Sequence, residues 1–342
     1  MNKAQVITIV GDGAMATVLG MLLDGRGARV TLWGAFPDHV AETIQSRKSR
    51  HLQDCVIPAS VRLTASDAEA FQGAELIVSA VPTQFMRSVW RRLAPHVPDT
   101  VPIVSVAKGI ETDTLLRPTQ IIGEVLGPGG DGHRGTRSLA ALSGPSVAAE
   151  LAECLPATVC VAADEPRLAQ TVQRTFTTDW FRVYTNEDLL GVELAGATKN
   201  VIALAAGILD GLRAGINAKS ALLARGLVES TRLGLAMGAS RQTFYGLAGV
   251  GDLATTCFSP SGRNRTCGEL LGRGTSLKDV LASVHGVVEG VPTTRAVMGL
   301  AEQHQVDMPI ARAVHGVLFE GQDPVAQIGR LMTREPKAEG IG

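Results

Sequence analysis

Short apolar, β-branched runs recur along the first half of the chain, at Val6–Val10, Arg29–Trp33, Leu76–Val81, Pro102–Ala107, Leu139–Leu142, Ala157–Ala162 and Phe181–Tyr184, with helically spaced stretches between them. Runs of this kind suit buried or half-buried strands, and their alternation with helices predicts a mainly parallel sheet with crossover helices. From Asp188 onward the pattern changes to Ala, Leu and Gly with helical periodicity, as at Ala218–Leu235 and Thr293–Gln303. The expected fold class is therefore α/β over residues 1–187, followed by an all-α C-terminal domain over 188–333. The polar, glycine-ended stretch 334–342 reads as a disordered tail, and Gly127–Arg137 as a flexible connector.

Composition narrows the classes of partner. A chain of 342 residues is long enough for two domains with sizeable cores. A formal charge of −1, with basic residues scattered through both halves, leaves no footprint for nucleic acid or an anionic membrane surface. The N-terminal apolar run is too short for a signal-peptide core, and no later stretch reaches the ~18 apolar residues of a membrane span. The expectation is a soluble, cytoplasmic protein. Five widely spaced cysteines without a Cys-x-x-Cys pair suggest free thiols and no metal site. Apolar faces in the helical domain suit a homodimer.

The run Val6–Val10 leads into Gly11-Asp-Gly-Ala-Met-Ala16 and then an apolar helical stretch, placing Gly-x-Gly-x-x-Ala in strand–turn–helix context. Gly11 allows the tight turn, Gly13 lets a pyrophosphate approach the backbone, and Ala16 permits close packing of helix on strand. This predicts a Rossmann-like dinucleotide-binding domain. The second strand ends in Gly34-Ala35-Phe36, where a carboxylate would usually hold the ribose hydroxyls of NAD. No basic residue adjoins that turn to grip a 2′-phosphate either, so NAD and NADP both stand open.

Other clusters carry chemistry. Lys199 lies on one helical stripe with Val192, Ala195 and Gly196, which clears space around its ammonium. It reads either as a proton donor to a small carbonyl substrate or as a lysine snorkelling to the surface. Lys108 follows a strand end, so it either reaches the nicotinamide end of a cofactor or sits on the surface. Ser143-Gly144-Pro-Ser146 opens a helix, where Ser146 serves as a cap or the helix start receives an anion. Asp252, in Gly246-Leu-Ala-Gly-Val-Gly-Asp, is a carboxylate among apolar neighbours that calls for a cation, Lys199 for instance, or else caps a helix. Arg263, Asn264 and Arg265 offer forked donors suited to a phosphate monoester or a merely solvated loop. Glu289 sits between glycine turns, as a cofactor contact or a cap.

Taken in order, these clusters resemble the NAD(P)-dependent glycerol-3-phosphate dehydrogenase family in its bacterial form. The residues that carry the resemblance include Leu32-Trp-Gly34, Ala107-Lys-Gly-Ile-Glu111, Phe181-Arg-Val-Tyr184, Gly191–Asn200, Gly249-Val-Gly-Asp-Leu253, Gly262-Arg-Asn-Arg265 and Val288-Glu-Gly290, spanning about Val6 to Leu331. The resemblance implies interconversion of dihydroxyacetone phosphate and sn-glycerol 3-phosphate, which supplies phospholipid synthesis, with NAD or NADP and no metal. It implies Lys199 as general acid/base, Lys108 orienting or polarising the substrate, and Asp252 holding the lysine. It also implies Gly144, Ser146, Asn200, Gly262, Arg263 and Asn264 around the substrate. Gly11, Gly13, Ala14, Met15, Ala16, Ala35, Lys108, Ala148, Arg263, Val287 and Glu289 fall at cofactor positions.

The chain departs from the family pattern in three places. Ala14-Met15-Ala16 lacks a hydroxyl and an aromatic ring usual after the first glycines, Ala35 replaces an often basic or polar residue, and Gly262 replaces a common serine. Two other readings are a relative acting on a small hydroxy acid and a non-catalytic dinucleotide-binding regulator.

Overall fold

The computed structural model describes residues 4–127, 137–284, 286–336, 338 and 339. Most of the expected connector and part of the expected tail therefore lie outside the described residues. The described chain divides into two compact units, Met1–Ala107 with Pro118–Leu189, and Lys108–Arg117 with Leu190–Gly342.

The first unit is built on an eight-stranded sheet. Its strands are β1 (Val6–Val10), β2 (Arg29–Trp33), β3 (Arg62–Thr64), β4 (Leu76–Ser79), β5 (Ile103–Ser105), β6 (Leu139–Ser143), β7 (Ala157–Ala163) and β8 (Phe181–Asn186). They lie in the order β3-β2-β1-β4-β5-β6-β7-β8. Neighbours pair parallel throughout, except that β6 and β7 run antiparallel. The central strands are apolar because both faces are covered; Ile7, Ile9, Leu76, Val78, Val104 and Val161 are all buried in one core. Full burial of each such side chain is worth roughly 1.5–3 kcal/mol. β8 alternates buried and exposed positions, as befits an edge strand with one open face. β3 escapes the sequence pattern because it is three residues long and buries only Thr64 fully.

The order reverses between β2-β1 and β4, so a crevice opens beyond the carboxyl ends of β1 and β4. The loop Gly11–Gly13 lies at that place in the topology.

The second unit is helical. Its central helix, Leu189–Gly211, is buried along most of its length, polar Glu193, Lys199 and Asn200 included. By length and composition it could cross a membrane, but 89% of its apolar window is buried inside the protein, as in a core helix. The sequence shows no uninterrupted apolar run of membrane length here because Glu193, Lys199 and Asn200 break it. It crosses the helix Arg263–Gly272 at backbone distance. A Cβ on Gly207 would lie 1.9 Å from the Arg265 carbonyl, and one on Gly268 would lie 2.1 Å from that of Leu204. Glycine at these crossings sets how closely the residues near Lys199 approach those following Arg263.

Candidate active site

In the first unit the strand-to-helix turn has the shape a dinucleotide needs. Gly11 has φ +120°, and a Cβ there would meet the Ala80 carbonyl oxygen at 2.9 Å, so only glycine makes the turn. Gly13 precedes the helix Ala14–Gly25 and has open space where a Cβ would be, with no side chain capping the helix start. The first-turn amides of Ala14 and Met15 thus head a helix whose N-terminus is open to an anion. Ala16 is fully buried. These residues fit the pyrophosphate of NAD(P).

Ser146 does not cap the next short helix. The position before the helix Ala148–Ala152 falls on Val147, and the Ser146 hydroxyl donates to the Gly144 carbonyl at 3.0 Å. Gly144 has φ +138°, and a Cβ on it would come within 2.9 Å of Val159 Cα. Ala35 follows Gly34 at the end of β2 and is half-buried.

The second unit gathers its charged residues around one carboxylate. Asp252 opens the helix Asp252–Phe258 and is 1% exposed. Its Oδ1 accepts from Lys199 Nζ at 2.5 Å and its Oδ2 from Lys108 Nζ at 2.6 Å. Burial alone would push this carboxyl up, but the two ammonium groups outweigh it and hold it below the usual carboxylate value. Lys199 is 8% exposed, so it does not snorkel. Burial lowers its pKa to about 8; Asp252 opposes that shift and Lys108 adds to it. An amine so placed exchanges protons near neutrality far better than an ordinary lysine.

Thr256 completes the lysine's surroundings, its hydroxyl 2.6 Å from Lys199 Nζ. Sequence reasoning passed over it. The signal was its place four residues after Asp252, one helical turn along the same face. Cys257 beside it is inert at ordinary pH, its thiol pushed up to about 12 by burial.

A chain of amides runs next to this charged group. Asn200 Nδ2 donates to the Lys108 carbonyl at 2.8 Å, Asn264 Nδ2 donates to Asn200 Oδ1 at 2.9 Å, and the Gly290 amide donates to Asn264 Oδ1 at 2.9 Å. Four segments distant in sequence are thereby held in one register. Gly262 precedes the helix Arg263–Gly272 without a side-chain cap, leaving a helix start headed by Arg263 and Asn264. Arg263 is exposed and donates Nη1 to the Val287 carbonyl at 2.9 Å. Glu289 lies immediately before the helix Gly290–Gln303. Arg265 serves elsewhere, its Nε on Asp210 Oδ2 at 2.7 Å. Within this unit, then, Lys108, Lys199, Asn200, Asp252 and Asn264 come together, with Arg263 and Val287 one step further along.

Comparison with known proteins covers most of the chain. Residues 6–169 match the model of the NAD-dependent glycerol-3-phosphate dehydrogenase N-terminus, and residues 188–328 that of the C-terminus. A glycerol-3-phosphate dehydrogenase [NAD(P)+] from Geobacter metallireducens is 46% identical over 98% of this chain and 99% of its own length. One from Pelotomaculum thermopropionicum is 44% identical over 96% of this chain and 93% of its own. Among solved structures, glycerol-3-phosphate dehydrogenase from Coxiella burnetii superposes with a TM-score of 0.91 at 33% identity, covering 97% of this chain and 99% of that one. Both halves match in order and with near-complete coverage, and the chain belongs to the NAD-dependent glycerol-3-phosphate dehydrogenase family.

Proposed function

We propose that this chain interconverts dihydroxyacetone phosphate and sn-glycerol 3-phosphate by hydride transfer with NAD(P)H, supplying glycerol 3-phosphate for phospholipid synthesis. The observation that carries the reaction type is the buried Lys199 ammonium, fixed on Asp252 Oδ1 with its pKa lowered to about 8. Bound NAD(P)H would supply the hydride; in the first unit the turn Gly11–Gly13, the first turn Ala14-Met15-Ala16, Ala35 and Ala148 would hold it. As negative charge grows on the substrate's carbonyl oxygen, Lys199 gives it a proton; in the reverse direction neutral Lys199 takes the hydroxyl proton. An ammonium at that oxygen stabilises the transition state more than the ground state. Lys108 orients the carbonyl, and Asp252 keeps both lysines aimed. Arg263, Asn264 and the helix start at Gly262 take the phosphate, with Asn200 beside them on Asn264.

The near-neutral charge and the mostly buried long helix support a soluble, cytoplasmic enzyme without nucleic-acid or membrane partners. Exposed Ile216, Val325 and Met332 on the helical unit support a homodimer.

Turnover with paired substrates tests the assignment. Dihydroxyacetone phosphate should oxidise NADH or NADPH with kcat/KM at least about a hundredfold above unphosphorylated dihydroxyacetone, since charge-assisted phosphate contacts are each worth roughly 1.5–3 kcal/mol. Oxidation driven by a 2-oxo acid but not by dihydroxyacetone phosphate would favour the hydroxy-acid reading. No turnover with either, alongside tight NAD(P)H binding, would favour a regulator.

A further inference from the structure

The end of β2 reads Trp33-Gly34-Ala35, so the chain itself places no basic residue there to recognise a 2′-phosphate. Folding brings one from 57 residues away. Arg92, in the last turn of the helix Thr83–Leu93, donates Nη1 to the Ala35 carbonyl at 3.1 Å. Its guanidinium lies over the Trp33 ring, 5.1 Å from the centroid. It grips Asp67 with two parallel bonds, Nε to Oδ2 and Nη2 to Oδ1, each 2.8 Å. Asp67 is itself fixed at the start of the helix Asp67–Ala70 and accepts the Trp33 indole N–H at 3.1 Å.

The guanidinium is thus held in one orientation at the strand end, yet the Arg92 side chain remains 43% exposed. A guanidinium carries five N–H donors. These bonds take one on each of its three nitrogens and leave an N–H on both Nη atoms for a further acceptor. Ala35 offers no side chain that could bond a phosphate, so such a contact falls to another residue.

We propose that Arg92 is this chain's 2′-phosphate contact and the residue that lets it use NADP as well as NAD. The inference rests on the functional reading above, which takes the end of β2 as the ribose end of the cofactor. Two carboxylates set its size. Asp67 neutralises Arg92, and Asp12 lies against Gly34, where a Cβ would meet its Oδ2 at 2.8 Å. Long-range attraction for a phosphate is therefore weak, and the gain comes from short forked hydrogen bonds. NADH, which lacks the phosphate, meets no excess positive charge and is not excluded.

Calorimetric titration of the full-length protein with adenosine 2′,5′-bisphosphate and with 5′-AMP tests this without turnover. The unaltered protein should bind the 2′-phosphorylated nucleotide more tightly. Arg92→Ala should lower the ratio of the two affinities by about tenfold or more. Arg92→Gln keeps part of the aliphatic stem and a polar amide and should lower the ratio similarly, which guards against a loss caused by unfolding of the corner. The proposal is overturned if the unaltered protein shows no preference, if the ratio survives both substitutions, or if both affinities fall together. A protein that binds the bisphosphate through Arg92 but reduces no dihydroxyacetone phosphate would overturn the functional reading and leave this one standing.

Discussion

Replacing Lys199 with Met should lower kcat for dihydroxyacetone phosphate by about three orders of magnitude, because general acid catalysis and charge stabilisation at the oxyanion are lost together. Met has about the length of the lysine stem and fills the same space among Val192, Ala195 and Gly196. The ammonium's bonds to Asp252 and Thr256 disappear, but Asp252 keeps its bond to Lys108, so no buried charge is stranded. Stability should change little, since an ammonium whose pKa is lowered by burial was costly to bury. NADH affinity, measured by fluorescence titration, should stay close to that of the unaltered enzyme. A kcat within tenfold of the unaltered value would remove Lys199 from its assigned role.

Asp252→Asn attacks the same centre from the other side, with a different signature. The carboxylate has one lysine on each oxygen, so its removal leaves two ammonium groups facing a neutral amide in a nearly dry site. Breaking a buried ion pair from one side costs about 3–5 kcal/mol, and here two pairs break at once. The fold can limit the cost by releasing the Lys199 proton, because Asp252 is what raises that lysine's pKa against burial and Lys108. Denaturant unfolding at pH 7 should therefore show a loss of about 3 kcal/mol, and kcat for reduction should fall at least a hundredfold as the acid form is depleted. Raising the pH toward 9 should recover part of the stability and none of the reduction rate. An unchanged unfolding midpoint together with near-normal turnover would contradict the shared-carboxylate geometry.

Much of this was legible in the sequence, for identifiable reasons. Strands covered on both faces show as uninterrupted apolar runs, and β1, β2 and β7 start where those runs start. Gly11 announces its turn because a φ of +120° and the Ala80 carbonyl exclude a side chain, while Gly13 leaves open the space that a pyrophosphate would fill. A buried carboxylate demands a cation, which made Lys199 a natural partner for Asp252. The rest depends on where distant segments land. That Lys108 shares Asp252, or that Asn264 bonds Asn200, follows from packing and not from spacing. β3 is too short to set a pattern. Arg92 looks like an ordinary helix-end arginine until Ala35, Trp33 and Asp67 are seen around it.

The most direct test of Lys199 as the acid and base is the pH dependence of kcat in the two directions. Reduction needs the protonated amine, so its rate should be level at low pH and fall about tenfold per unit above the lysine's pKa, near 8. Oxidation of sn-glycerol 3-phosphate needs the neutral amine, so its rate should rise with pH and level off above the same value. Opposed profiles that cross near pH 8 in the unaltered enzyme, and flatten in Lys199→Met, are the predicted result. Profiles that move in the same direction, or that keep their shape without the lysine, would contradict it.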